Sequence, residues 1–205
     1  MAASEPVNRV IESIRRALTD LQQTRHPFAV VGGLAVSART EPRTTRDVDL
    51  AVSVDGDEAA EDLLREMMRL GYGISGVVEQ TDTGRLATAR LVPPGDAAIV
   101  DLLFASSGIE PEVVSASESL EILPGIPVRV AVVGDLLAMK ILSRDDAMRP
   151  QDAGDIRGLV RVASPAALAR AHHSVELIAE RGFARGRDLA KLLTDAIATF
   201  GEAAG

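Results

Sequence analysis

Two aspartates separated by a single residue begin an apolar segment, in Asp47-Val-Asp49-Leu. Side chains alternate across a strand, so Asp47 and Asp49 face one way while Val48 and Leu50 face the other. Two carboxylates on one strand face repel each other, and a cation between them relieves the repulsion. The pair therefore predicts a divalent metal site, with a solvated strand face as the alternative.

A third aspartate, Asp101, interrupts the otherwise apolar segment at residues 98–104. A buried and unpaired carboxylate is costly, so Asp101 must be paired, protonated or metal-bound. One prediction is that Asp101 joins Asp47 and Asp49 in holding Mg²⁺ or Mn²⁺. The alternative is that one of the many arginines pairs with Asp101 in the core.

Paired glycines, Gly32 and Gly33, follow a short apolar segment at residues 28–31. Glycine lets the backbone approach a ligand closely, and the amides at the start of a following helix can bind phosphate. Turns of this kind between a strand and a helix are common. The glycines therefore indicate a phosphate site only in combination with the acidic residues.

The combination of Gly32, Gly33, Asp47, Asp49 and Asp101 resembles the DNA-polymerase-β-like nucleotidyltransferase superfamily. The resemblance implies that the glycine turn cradles a nucleoside triphosphate and that the three carboxylates hold two metal ions. In such a site one ion activates the attacking oxygen and the other neutralises the leaving pyrophosphate. Asp101 is then the candidate general base.

Two later segments are similar to those of the AbiEii/MenT-like nucleotidyltransferases, many of which are toxins of bacterial toxin–antitoxin pairs. Lys140 lies in a predicted apolar helix, and Asp152 and Asp155 lie three residues apart in the next helix. The resemblance spans residues 27–160 and implies that Lys140 reaches the nucleotide phosphates. It also implies that Asp152 or Asp155 is an essential acid, and both remain candidates. Without the resemblance, a surface lysine and an ordinary acidic helix start would explain these residues.

Basic and hydroxyl side chains stand beside the Asp pair. Arg39, Arg43 and Arg46 fall within eight positions, and a local positive site favours a compact polyanion such as a nucleoside triphosphate. The resemblance gives Thr45 the place of a Ser or Thr that precedes the first metal-binding Asp. We therefore predict nucleotide contacts from Gly32, Gly33, Thr45, Arg46 and Lys140. Gly33 is a departure, because many relatives have a serine hydroxyl there.

Composition excludes several other classes of protein. The chain has 205 residues, a formal net charge of −8 and no cysteine, so it is neither a generic nucleic-acid binder nor a disulfide or thiolate scaffold. Its N-terminus does not resemble a signal peptide, and its apolar runs are too short to cross a bilayer. These features predict a cytoplasmic protein with no membrane partner.

Hydrophobic periodicity predicts an α+β protein with a polymerase-β-like core, a mixed sheet with helices on one face, followed by a C-terminal helical subdomain. Residues 1–132 would form the catalytic core, and residues 133–205 would complete the nucleotide cleft. The predicted strands cover residues 28–31, 47–53, 86–92, 97–104, 119–123 and 128–132. The predicted helices cover residues 4–24, 34–39, 57–70, 134–143 and 150–162, with two more beginning near residues 164 and 185.

For function, the resemblance implies a metal-dependent enzyme that transfers a nucleoside monophosphate from a nucleoside triphosphate (NTP) to an acceptor. The expected acceptor is RNA, such as the 3′ end of tRNA, and the expected biological role is that of a growth-inhibiting toxin with a cognate antitoxin. Two alternatives remain open. The acceptor would be a small molecule or a protein, or the chain would be a non-catalytic nucleotide-binding protein.

Overall fold

A computed structural model of the chain describes residues 4–41, 45, 47–80, 84–95, 98–145 and 151–201. Within these residues the strands are β1 (Phe28–Val31), β2 (Asp47–Val52), β3 (Gly73–Glu79), β4 (Leu86–Val92), β5 (Ile99–Leu103), β6 (Glu118–Leu123) and β7 (Ile126–Val130). The helices are α1 (Ser4–Gln23), α2 (Gly32–Arg39), α3 (Asp57–Arg69), α4 (Glu110–Ala116), α5 (Val133–Ser143), α6 (Gln151–Val162), α7 (Pro165–Glu180) and α8 (Leu189–Gly201).

The described strands form one mixed sheet in the order β3-β4-β5-β2-β1-β7-β6. Strand β2 runs parallel to β5 and antiparallel to β1, while β1 runs parallel to β7. Strands β4 and β5 pair antiparallel. The predicted α+β class with a mixed sheet is confirmed.

The two faces of the sheet differ sharply in character. Directly opposed residues of neighbouring strands point to the same face, and so do residues two apart in one strand. Register therefore assigns Val30, Leu50, Leu102 and Ala89 to one face, and all four are fully buried. The acidic residues of β2 and β5 thus stand on the face opposite these four side chains, beside the buried Ala29, Val31 and Ala51 of the same face.

Two elements were absent from the sequence prediction. Strand β3 contains two glycines, is mostly exposed, and has an irregular register between Ile74 and Gly76, so it lacks the alternation that indicates a strand. Helix α4 contains adjacent valines and a proline in its first turn, a composition that is poor for a helix in isolation. Burial of Val113 and Val114 against the core stabilises this helix despite its low propensity.

Helix α5 links the sheet to the later helices. Its Gly134 packs so closely against α7 that a Cβ there would meet the Ala167 carbonyl oxygen at 2.5 Å. Buried Asp135 accepts hydrogen bonds from Arg170 Nε at 2.9 Å and from Ser174 Oγ at 2.7 Å, both on α7. These contacts fix α5, which carries Lys140, relative to the rest of the molecule.

The described strands end at Val130, and the described elements after it are helices. One hydrophobic cluster nevertheless continues from the sheet into these helices. The division of the chain at residue 132 therefore stays a prediction. None of the described helices combines the length and the apolar character needed to cross a membrane.

Candidate active site

Asp49 and Asp101 lie side by side on the open face of the sheet. They are directly opposed Cα partners in the parallel pair of β2 and β5, so their side chains project to the same side. Burial raises the pKa of the Asp49 carboxyl, and the nearby charges of Asp101 and Asp47 raise it further. Asp101 is therefore brought from a distant part of the sequence to interact with Asp47 and Asp49.

The glycine turn lies against the Asp49 carboxylate. Gly32 begins α2 with a φ of +61°, a conformation that side chains disfavour, and a Cβ at this position would overlap the Asp49 side chain. The Gly33 backbone amide also hydrogen-bonds to Asp49 and favours its ionised form. The turn therefore makes room for Asp49 and orients it, a role that the sequence analysis did not foresee. The predicted contact of this turn with phosphate stays a prediction.

Arg90 on β4 binds both carboxylate oxygens of Asp101. Its Nε and Nη2 atoms donate to Oδ1 and Oδ2, each at 2.8 Å. The two residues are opposed in the antiparallel pair of β4 and β5, which brings the guanidinium to the acidic face. The sequence analysis had left open a pairing of Asp101 with an arginine but did not identify Arg90. A lone arginine among apolar residues of a predicted strand was the available signal.

Lys140 faces the site from α5, and its ammonium group is held by both candidate acids of α6. The Nζ atom lies 2.9 Å from Asp152 Oδ1 and 2.8 Å from Asp155 Oδ2. The two Asp side chains are 1% and 3% exposed, while that of Lys140 is 13% exposed. The charge of Lys140 also lowers the pKa of Asp49, against the larger effect of burial. The structure thus gives Asp152 and Asp155 one shared partner and does not separate their roles.

The remaining residues predicted to contact the nucleotide differ in where the structure places them. Thr45 donates its hydroxyl to the Asp47 carbonyl oxygen at 3.2 Å, beside the acidic residues. Arg43 and Arg46 lie outside the described residues. The Arg39 guanidinium donates to the carbonyl oxygens of residues 130 and 131 and forms an ion pair with Glu118, so it ties α2 to the end of β7. Its role as a nucleotide ligand has no support from these contacts.

A cleft of about 470 Å³ opens between the sheet and α5. This volume falls within the range of roughly 300–1,000 Å³ that is usual for small-molecule sites. Five residues that carry the chemistry line it: Gly32, Asp49, Arg90, Asp101 and Lys140. Carboxylates, cationic side chains and a glycine turn therefore meet in a space of suitable size for a nucleotide.

The acidic residues offer the type of donor that a divalent metal ion would require. Carboxylate oxygens are the preferred ligands of Mg²⁺, and the mutual repulsion that raises the pKa of Asp49 would be relieved by a cation. Over the part of the chain that the structure describes, however, no three acidic or histidine side chains are already grouped as a metal site. Asp101 has both oxygens engaged by Arg90. The donor set fits a metal, provided that this ion pair rearranges.

Comparison with known proteins bears on the family and the fold. A family model described as "Nucleotidyl transferase AbiEii toxin, Type IV TA system" matches residues 16–203. No curated protein sequence matches the chain.

Among solved structures, an H. pylori protein provisionally named a nucleotidyltransferase is similar with a TM-score of 0.50 and 13% identity, over 98% of this chain and 95% of that one. The antibiotic-resistance factor ANT(2")-Ia, in complex with adenylyl-2"-tobramycin, has a TM-score of 0.46 and 20% identity, over 97% and 99% of the two chains. The toxin MenT4 from Mycobacterium tuberculosis has a TM-score of 0.40 and 16% identity, over 95% and 93%. The first likeness supports the predicted nucleotidyltransferase fold, and the two lower scores add nothing to it.

Proposed function

The chain belongs to the AbiEii family of nucleotidyltransferase toxins of type IV toxin–antitoxin systems, and we propose that it transfers a nucleoside monophosphate from an NTP to an RNA acceptor such as the 3′ end of tRNA. The observation that carries this proposal is the alignment of Asp49 with Asp101 on one sheet face, beside Gly32 and within a cleft that Lys140 also lines. Transfer of a charged phosphoryl group depends mostly on positioning and on compensation of charge. The cleft supplies groups of both signs for these tasks.

Asp47, Asp49 and Asp101 are the residues that would hold divalent metal ions, Mg²⁺ or Mn²⁺. Such ions, when bound, activate the acceptor oxygen and neutralise charge on the leaving pyrophosphate. The chain's own contribution is to hold the carboxylates in place. The Gly33 amide orients Asp49, and the pairing of β2 with β5 brings Asp101 beside it.

The nucleotide is bound, in this proposal, between the glycine turn and α5. Gly32 has no Cβ, and Asp49 fills the space that one would occupy, so the glycine turn and this carboxylate form one wall of the cleft. Lys140 supplies a positive charge from the opposite wall, held at a fixed position by Asp152 and Asp155. Thr45 and Arg46 would complete the contacts with the triphosphate. Residues 1–132 would thus form the catalytic core, and residues 133–205 would complete the cleft.

An RNA acceptor needs positive charge near the cleft, although the chain as a whole carries −8. Arg90 and Arg185 are the described arginines that line the cleft, and they would supply this charge. Transfer to the end of tRNA would block its aminoacylation and so arrest translation. A toxin of this kind requires a cognate antitoxin, which is the protein partner that we propose.

The proposal is tested by incubating the protein with each labelled NTP, Mg²⁺ and total RNA. The Asp47→Ala variant removes one proposed metal carboxylate, and Asp55→Ala removes an exposed aspartate outside the cleft as the matched control. We expect label on tRNA with the wild type and with Asp55→Ala, and none with Asp47→Ala. Label on a small molecule or on protein would show that the acceptor is wrong. Absence of transfer from all NTPs would refute the enzymatic proposal.

A further inference from the structure

The ion pair between Arg90 and Asp101 occupies one of the carboxylates to which we assign a metal. The contact is bidentate, with Nε and Nη2 of Arg90 each 2.8 Å from one of the two Asp101 carboxylate oxygens. Paired hydrogen bonds of this kind are stronger and more directional than a single contact between charges. A metal ion that coordinated the remaining lone pairs of the Asp101 carboxylate would lie next to the positive guanidinium of Arg90.

Arg90 also interacts with the other two acids. The hydrogen bonds and charge of Asp101 raise the pKa of the Arg90 guanidinium most, and the charges of Asp47 and Asp49 raise it further. Arg90 is therefore a counter-ion of the acidic cluster formed by Asp47, Asp49 and Asp101, with its direct contact at Asp101. Together with Lys140, it supplies positive charge that offsets the repulsion among these carboxylates.

Arg90 and Lys140, two of the cationic residues that line the cleft, differ in their freedom to move. The Lys140 side chain is 13% exposed and is held by two acids that are almost completely buried. The Arg90 side chain is 50% exposed, while Asp101 is 12% exposed. Arg90 can therefore rotate into solvent without uncovering the core, whereas displacement of Lys140 would remove its compensating positive charge from two buried carboxylates.

We propose that Arg90 is a resident counter-ion that a divalent metal ion displaces from Asp101, and that Arg90 thereby sets the metal affinity of the site. This inference rests on the proposed function, because it assumes that the three acids receive a metal. Metal binding is then an exchange of cations on Asp101. Part of the attraction between metal and carboxylate is offset by the loss of the two hydrogen bonds from Arg90.

The test is the affinity for Mn²⁺, measured by electron paramagnetic resonance of the free ion, with no nucleotide present. Arg90→Gln removes the guanidinium and the competition that it exerts. We expect it to bind Mn²⁺ more tightly than the wild type by about tenfold or more, since charge-assisted contacts contribute on that order. Arg85→Gln is the matched control, because the Arg85 side chain is similarly exposed and lies away from the acidic cluster. Its Nε atom lies 3.6 Å from Asp57 Oδ1. The affinity of Arg85→Gln for Mn²⁺ should equal that of the wild type.

Each outcome has a distinct meaning. Tighter binding by Arg90→Gln, with Arg85→Gln unchanged and the gain abolished by adding Asp101→Asn, supports the exchange. Equal affinities of Arg90→Gln and the wild type overturn it and leave the metal site standing. Failure of the wild type and of every variant to bind Mn²⁺ overturns both the exchange and the metal-dependent part of the proposed function.

A second variant covers the case in which Arg90→Gln does not fold, as judged by circular dichroism. Arg90→Lys keeps the positive charge but cannot engage both carboxylate oxygens at once. The Mn²⁺ affinity of Arg90→Lys should lie between that of the wild type and the higher affinity expected for Arg90→Gln. If Arg90→Lys binds Mn²⁺ with the affinity of the wild type, the bidentate contact between Arg90 and Asp101 does not set the metal affinity.

Discussion

Asp49 and Asp101 are directly opposed partners in a parallel pair of strands, and both side chains therefore project into the same cleft. This relationship depends on register alone. A shift of one residue between β2 and β5 would turn one of the carboxylates to the apolar face. Burial of Leu50 and Leu102 on that face, each 0% exposed, makes such a shift costly. The core thus protects the geometry of the site.

Asp49→Asn should abolish nucleotidyl transfer and also stabilise the metal-free protein at neutral pH. The pKa of Asp49 is raised in the folded state by burial and by Asp101, so its protonated form favours folding. That contribution is fully present below the ordinary pKa of 3.8 and is lost as pH rises through the folded-state value. Thermal denaturation in a chelator should therefore give a higher Tm for the variant at pH 7.

The same comparison at lower pH provides the internal control. The difference in Tm between Asp49→Asn and the wild type should shrink as pH falls towards 4, because Asp49 then gains its proton. A variant that is less stable than the wild type at pH 7 would contradict the repulsion between these carboxylates.

Gly32→Ala should impair activity far more than an alanine at another glycine of similar conformation. Gly32 and Gly125 have φ values of +61° and +75°, so alanine at either costs about 1–2 kcal/mol of backbone strain. A Cβ at Gly32 would also overlap Asp49, whereas nothing lies within 4 Å at Gly125. Displacement of a reacting group by 1 Å can reduce a rate about 100-fold. Transfer assays on both variants, normalised to folded protein, check this expectation, and equal activities would rule out a steric role for Gly32.

Lys140→Met should destabilise the protein as well as inactivate it. Asp152 and Asp155 are buried and share the Lys140 ammonium group, and loss of such a partner costs about 3–5 kcal/mol. The measurement is the free energy of unfolding in urea. The control Lys191→Met breaks an exposed pair with Asp195 and should leave stability close to that of the wild type.

A triple variant tests whether Lys140 and its two acidic partners act only by stabilising the fold. Adding Asp152→Asn and Asp155→Asn to Lys140→Met removes the uncompensated charges and should recover much of the lost stability. Activity should stay absent, because the cleft then lacks the ammonium group. Recovery of activity together with stability would show that Lys140 acts only through the fold.

Arg39→Ala should lower stability and leave the KM for NTP nearly unchanged. Arg39 donates to two backbone carbonyl oxygens near the end of β7, and such acceptors cost about 1–3 kcal/mol each when they are left unpaired in the interior. For Arg43→Ala we predict a higher KM for NTP, because Arg43 belongs to the positive cluster that the sequence places beside Asp47. Steady-state kinetics and urea denaturation of the two variants distinguish a structural arginine from a substrate contact. A raised KM for Arg39→Ala with normal stability would reverse this assignment.

Much of the fold follows from periodicity and turn residues. The strands Phe28–Val31 and Leu86–Val92 match the sequence prediction at both ends, since each is apolar and bounded by residues that favour turns. Strand β3 and helix α4 do not follow in the same way. Their stability comes from tertiary pairing and from burial of one helical face, and neither is visible in local sequence.

In the site, the sequence identified the acidic residues but did not identify the side chains that pair with them. The acids at 47, 49 and 101 stand out because they interrupt apolar strands. Their partners do not, because the contact of Arg90 with Asp101 depends on strand register. The sharing of Lys140 by two acids depends in turn on how α5 packs against α6. Sequence spacing supplies the groups that could react, and tertiary structure decides which charges neutralise them.

Helix α5 is anchored twice through charged side chains, by Asp135 to α7 and by Lys140 to α6. Both anchors use buried carboxylates, so substitution of either partner alone is strongly disfavoured. Residues of the cleft wall that take part in no buried ion pair are freer to change under selection. A new acceptor preference would then evolve at those residues, with α5 inherited almost unchanged.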